Sequence, residues 1–353
     1  GGDKLMTRYE MAQIVAKAMA KGANVDKLAA EFADELDNLG VRVAALEKKA
    51  DNVKITGEAR YRYWDNDYNT KKDGSTDALR SRIWVKGQVN DDWSYTGMLE
   101  NIQSFQHSNS GEETTKFQRA YVNGKLGGLA VQAGRYGFTD FTGGNIYDTR
   151  MDGGQVAYGK DVKLTLGAGK AADAAFAPSA PTKNDGSKAD NLYYANLAGK
   201  VGVVDANVGY YKFEDVTKLS DDDSIWTVGV AFPVLKDLKL GATYLASDYD
   251  KNNADDDGYV VSLDYKGAKA GVAGTWGIFA KYYDQGVGTY IAHTMNGAIG
   301  EFDIAEDGFK GYQVGANYTF AKNIVGQVEY YDLEAKKGSK EAKTFYGQVN
   351  FMF

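Results

Sequence analysis

What most constrains this chain is a change of period near Asn52. Beyond it, apolar and polar residues alternate in sixteen runs of about ten residues. In the first run Ile55, Gly57, Ala59, Tyr61 and Tyr63 share one face, and Thr56, Glu58, Arg60 and Arg62 share the other. Leu79–Val89 repeats the pattern, with Leu79, Ile83, Val85 and Val89 opposed to Arg80, Arg82, Trp84, Lys86 and Gln88. Further runs begin near Trp93, Phe117, Leu129, Gly154, Val162, Leu192, Val203, Ile225, Leu238, Tyr259, Trp276, Phe309, Ile324 and Phe345. Their connections alternate in length. Short ones fall at 90–92, 159–161, 235–237 and 321–322. Long polar ones fall at 65–77, 105–116, 137–150, 172–190, 214–223, 249–257, 285–307 and 333–342. A soluble sandwich has no reason to gather its long loops at one end, whereas an up-and-down membrane barrel does. The pattern therefore predicts an all-β membrane protein, a 16-stranded antiparallel transmembrane β-barrel over residues 54–353.

Composition agrees with this and narrows the chemistry. No run of 18 apolar residues occurs, so no transmembrane helix is expected, but a barrel needs only half-apolar strands. Gly1-Gly2-Asp3-Lys4 shows no signal-peptide pattern, so the expectation is a cytosolic protein or a processed mature form. The chain has no Cys and only His107 and His293, both in long loops without a recognisable Ser or Asp partner. No enzyme, cofactor or metal site is expected. A net charge of −7 argues against nucleic acid. The acidic stretches 221–223 and 248–257 read as solvated loop tips; the second lacks the central Gly and final Glu of a calcium loop. Tyr61, Tyr63, Trp93, Tyr95, Tyr244, Tyr265, Tyr282, Tyr318, Tyr330, Phe351 and Phe353 fall near strand ends on the apolar face, where interfacial girdles belong.

The opposite face of the first five strands is basic: Arg60, Arg62, Arg80, Arg82, Lys86, Arg119, and Arg135 at a loop start. On the lipid side each would cost about 2–4 kcal/mol at mid-bilayer, so a water-filled lumen is their expected home. The loop Tyr136–Arg150 carries Asp140, Asp148 and paired glycines. It resembles the third long loop of the sixteen-stranded general porins, which folds inward and narrows the barrel. Asp140, Asp148 and Glu100 facing the arginines would set a transverse field across a constriction. Alternatively, the arginines pair with Glu58, Glu100 and loop acids to fill the wall. The two arrangements are compatible.

Before Asn52 the period is helical. Thr7 as N-cap with Glu10 three residues on forms a capping box ahead of Met11, Ile14, Val15, Ala18 and Met19. From Ala29, the series Phe32, Leu36, Leu39, Val43, Leu46, Ala50, Val53 steps by three and four, a heptad seam that would make a rod of about 37 Å. An amphipathic helix lying on or plugging the next domain is the other reading of the seam. The expected division is 1–24, a helix; 25–53, an α-helical coiled-coil stalk with Phe32, Leu36, Leu39, Val43 and Leu46 as its core; and 54–353, the barrel.

Thr7-Arg8-Tyr9-Glu10-Met11-Ala12 resembles the last helix of an S-layer homology module, so residues 1–24 read as the C-terminal remnant of one. The last strand, ending on Phe353, resembles the C-terminal signal by which outer-membrane barrels are recognised for insertion. With the stalk Leu36–Glu47, the order of parts resembles the OmpM-type porins of diderm Firmicutes, the Veillonella and Selenomonas group. That resemblance implies a homotrimer in outer-membrane lipid that passes small hydrophilic solutes and ions. It also implies a periplasmic stalk whose Thr7, Arg8 and Glu10 region grips peptidoglycan or a modified cell-wall polymer. The alternative is a structural anchor whose barrel is plugged.

Overall fold

The structure, a computed structural model, describes residues 6–39, 52–106, 115–172, 189–251 and 254–353. Contacts divide the chain into an N-terminal unit and a barrel. The barrel strands are β1 Val53–Tyr68, β2 Gly74–Gln88, β3 Trp93–Ser104, β4 Lys116–Leu126, β5 Leu129–Thr139, β6 Asp148–Tyr158, β7 Val162–Ala172 and β8 Asn191–Val201. They continue with β9 Val204–Val216, β10 Asp221–Leu235, β11 Leu238–Ser247, β12 Asp257–Lys266, β13 Trp276–Gln285, β14 Phe309–Ala321, β15 Ile324–Glu334 and β16 Glu341–Met352. Each strand pairs with its sequence neighbours, and β1 closes on β16 from Glu58↔Met352 to Tyr68↔Ala342, leaving no open edge.

The period-two pattern sorts the side chains. On β1 Glu58, Arg60, Arg62, Trp64 and Asn66 face the lumen, while Ile55 and Tyr61 are exposed on the outer wall. Outer aromatics stand in two rows. Tyr265, Trp276 and Tyr318 lie toward the short turns; Tyr259, Tyr282 and Tyr312 lie toward the long loops. On each of β12, β13 and β14 the two rings are six residues apart, about 20 Å along the strand. Val261, Leu263, Ile278, Val314 and Ala316 fill the band between them.

Two boundaries differ from expectation. The strands extend further, so the first loop is 69–73 and the third 140–147; the connection 267–275 is long for the turn end. Most of the loops 105–115 and 173–190, with His107, lies outside the described residues. No described helix is long and apolar enough to cross a membrane.

The N-terminal unit corrects the stalk over the residues described. Its helices are α1 Arg8–Ala20, α2 Asp26–Glu31 and α3 Ala33–Asn38. The chain leaves helical geometry at Phe32 (φ −107°, ψ 26°), between α2 and α3. Phe32 and Leu36 are buried with Ala29 against Ala12 and Val15 of α1, and Leu39 packs on the same cluster. The seam residues from Ala29 to Leu39 therefore find their apolar partner within the chain and form a small three-helix cluster in place of one continuous helix. Val43 and Leu46 lie outside the described residues.

Candidate functional site

The lumen has two unlike walls. The first is built by β1–β4. Glu58 is the hub of its charge: Arg80 Nη2 bonds Glu58 Oε1, Arg60 Nη2 lies 3.3 Å from Oε2, and Asn350 Nδ2 of β16 donates to Oε2 at 3.2 Å. Arg82 Nε pairs with Glu100 Oε2 at 2.6 Å. The Arg62 guanidinium carbon lies over the Trp64 ring, 4.9 Å from its centroid, and Trp64 packs against Tyr346 at 5.2 Å. Arg119, in register with Met98 across β3–β4, donates from Nη1 to the Gln118 carbonyl at 2.9 Å. Lys86 lies on the same face nearer the short turns and is exposed. The strip thus holds Arg60, Arg62, Arg80, Arg82 and Arg119 against Glu58 and Glu100. It is an excess of positive charge even after pairing.

The second wall, toward the long loops, is apolar and filled. Tyr136 and Phe138 of β5, Leu192 and Tyr194 of β8, Tyr211 and Phe213 of β9, Ile225 of β10 and Tyr283 of β13 turn inward into one buried cluster. Phe138 stacks on Tyr194 at 4.3 Å, and the Tyr194 hydroxyl bonds the Tyr136 hydroxyl and donates to Gln155 Oε1. Nearer the short turns the inner residues of β4–β10 become amides and hydroxyls: Asn123, Gln132, Gln155, Thr165, Asn196, Asn207 and Thr227.

Two loops fold inward to fill the apolar side. In loop 140–147, Asp140 accepts hydrogen bonds from the backbone N–H groups of Thr142, Ile146 and Tyr147 and from the Thr142 hydroxyl. The Phe141 N–H donates to the Tyr211 hydroxyl at 2.9 Å, pinning the loop to β9. Loop 286–308 lies beside it, joined by the parallel bridge Tyr147↔Ala292. The backbone bonds Ile291 N–H to Ile146 O and Thr294 N–H to Gly144 O continue the contact. Its Tyr290, Ile291, Ile299, Phe302 and Ile304 are fully buried. Asn296 and Ala298 reach the far wall, bonding Tyr331 and Glu329 of β15 and Thr344 of β16. Lys71–Glu301, Lys218–Asp303 (3.6 Å) and Lys340–Asp307 (2.6 Å) tie this loop to three others. His293 belongs to this packing: its Nε2 is 2.9 Å from Gln285 Oε1, between the Tyr283 and Phe309 rings.

Glycines let neighbouring strands of this wall approach closely. Gly134, Gly153 and Gly169 stand in register across β5–β7. A Cβ on Gly153 would come 2.2 Å from the Ala168 carbonyl oxygen and 2.6 Å from the Gly169 Cα, so the strands close up only without side chains.

The expected constriction residues therefore separate into groups. Arg60, Arg62, Arg80, Arg82, Glu100 and Arg119 come together on β1–β4. Arg135 does not join them: it forms a two-pronged pair with Asp152 (2.6 and 2.5 Å), on the face of β5 opposite inward Tyr136. Strand alternation puts it on the outer wall. Asp140 is not a lumen charge, because its oxygens organise the loop backbone; burial pushes its carboxyl up against the pull of those donors. Asp148 joins the two loops, accepting from Thr139 (2.7 Å) and Thr294 (2.5 Å). Thr7 and Glu10 form the reciprocal capping box, and Arg8 bonds Glu35 (2.7 Å) and the Glu31 carbonyl (2.8 Å) above the Phe32 ring. The seventh loop was missed as a lumen element. Its signal was composition: Val287, Tyr290, Ile291, Met295, Ile299, Phe302 and Ile304 interrupt what should be a polar loop.

No protein-family model matches this chain, and no curated protein sequence does. Solved structures do. OmpT of Vibrio cholerae, an outer-membrane protein in trimer form, is 16% identical with a TM-score of 0.54, over 86% of this chain and 100% of that one. OmpF of Salmonella typhi, in complex with daunomycin, is 10% identical with a TM-score of 0.55, over 85% and 97%. A variant of the Rh. blastica porin is 14% identical with a TM-score of 0.52, over 85% and 100%. The chain thus has the closed sixteen-stranded fold of outer-membrane porins.

Proposed function

We propose that the barrel is an outer-membrane diffusion channel passing small hydrophilic solutes and ions, with no chemistry of its own. The observation that carries this is the arginine strip: a charged, partly paired inner wall has a use only where water and solutes pass. The filled apolar side narrows the path and presses it against that strip. Low-dielectric walls on one side then focus the field of the other. A homotrimer belongs to this reading, supported by the trimeric Vibrio cholerae neighbour. Planar-bilayer recording of the purified protein tests it. Large conductance steps closing in thirds are expected, and silence from folded, heat-modifiable barrels would refute it.

A second part of the reading is attachment. The resemblance of Thr7–Ala12 to an S-layer homology helix supports a periplasmic N-terminal unit that holds peptidoglycan or a wall polymer. Arg8, Thr7 and Glu10 are largely spent on internal bonds, so the exposed Tyr9 and Met6 beside them are the added candidates for contact. Co-sedimentation with isolated sacculi tests this part, and undiminished binding after Arg8→Ala and Tyr9→Ala would remove the motif from the contact. The anchor-only alternative rests on loop 286–308, which fills part of the lumen; the same bilayer recording decides it.

A further inference from the structure

We infer that the strip around Glu58 is a saturable binding site for dianionic oxyanions, the class that includes sulfate, hydrogen phosphate and short dicarboxylates. This rests on the channel reading above. Arg60, Arg80 and Asn350 all converge on Glu58, which exhausts that carboxylate. Arg82 is taken by Glu100. Arg62 is left over: it has no carboxylate partner among the described residues, and its Nε and Nη2 have no hydrogen-bond partner, as is true of Nε on Arg60 and Arg80.

Arg60, Arg62 and Arg80 thus have one carboxylate among them, an excess of two positive charges around Glu58, and Arg119, bonded to the Gln118 carbonyl, adds a third to the strip. Two negative charges on one solute offset more of that excess than the single charge of chloride. Guanidinium forks favour oxygen pairs over a spherical ion, because each fork gives two parallel charge-assisted bonds. Contact with Trp64, itself buried against Tyr346, restricts the Arg62 side chain in advance of binding. Because loop 140–147 fills the opposite side and loop 286–308 reaches from there across to β15 and β16, a crossing solute is kept close to this patch and does not pass along a wide axis.

The test is bilayer recording in chloride with sodium sulfate added stepwise, on the wild-type chain, Arg62→Gln, Arg62→Lys and Arg135→Gln. In the wild type, sulfate should reduce chloride current along a saturating curve, and reversal potentials in a salt gradient should show anion preference. Arg62→Gln should weaken the apparent sulfate affinity by about tenfold. Arg62→Lys should keep the anion preference yet bind sulfate less tightly than wild type, since it retains charge and loses the fork. Arg135→Gln, on the outer wall, should match the wild type. Current that falls linearly without saturation, cation preference in the wild type, or equal sulfate affinity in Arg62→Gln would each overturn the site while leaving the channel intact. Absence of any conductance would instead overturn the channel reading itself.

Discussion

The two lumen walls use the same strand geometry for opposite ends. On β1–β4 the inward positions carry charge that is incompletely neutralised, which under the proposed channel reading makes this the wall that meets solutes. On β8–β13 the inward positions near the long loops are aromatic and aliphatic, and they are covered by a loop. The difference teaches that a barrel interior need not be uniform around its circumference. One arc can serve as a packed core, giving the stability that a hollow cylinder lacks, while the other carries the charge to which the proposed function assigns selection.

The largest way to break this comparison is to remove the cover. Deleting residues 290–303 should raise single-channel conductance several-fold, because the apolar arc would lose what fills the space before it. Unchanged conductance would show that this loop never limited the path. A less drastic change, Phe138→Ala, removes a ring stacked on Tyr194 and should destabilise the barrel by about 3–5 kcal/mol. The fall in the temperature of heat-modifiability checks it. Trp64→Ala, though also a buried aromatic, should affect sulfate block besides stability, since it supports Arg62.

Gly153→Ala sharpens the same contrast from the backbone side. The added methyl meets the Ala168 carbonyl, so a loss of about 1–3 kcal/mol is expected from denaturant titration. A fully tolerated alanine would mean the strands can separate there at little cost.

How much of this was readable in the sequence follows from the range of each interaction. The sixteen strands were legible because alternation is local and lipid enforces it on the outer face. The Thr7–Glu10 capping box was legible because it spans three residues. Arg135 was misplaced because a strand-end residue was counted with its neighbours instead of by parity from Gln132 and Tyr136. Asp140 was read as a pore charge because a carboxylate that caps a loop and one that faces a solute look alike in one dimension. The helix breaks at Phe32, and over the described residues α1 supplies the apolar contact, because heptad spacing says which residues seek such contact and not where it comes from. The inward seventh loop depends on contacts with β13, β15, β16, loop 140–147 and the loops that carry Lys71, Lys218 and Lys340, and only its composition announced it.

The helical unit offers a smaller test, by pH. Bonding from Arg8 holds the Glu35 carboxyl below its usual range, and bonding from the Thr7 backbone and side chain does the same for Glu10. Groups with lowered folded-state values add stability that is present above the ordinary carboxylate range and is lost as pH falls through the lowered values. Amide hydrogen exchange in α1 should therefore quicken, once corrected for its intrinsic pH dependence, between neutral pH and about pH 3. The β-strand amides should show much less of this loss. Equal protection in α1 at both values would separate those two carboxylates from the helical packing.

Loop 286–308 also decides what the molecule presents to its surroundings. Its ion pairs to Lys71, Lys218 and Lys340 draw four connections into a single lid whose apolar residues point inward. To an antibody or a phage arriving from the long-loop side, the longest described loop would be nearly invisible. The tip at Gly338, with open space around it, would be an accessible place for a grafted epitope. Sequence drift should be tolerated at such tips and resisted in the lid, reversing the usual expectation that the longest loop is the freest to change.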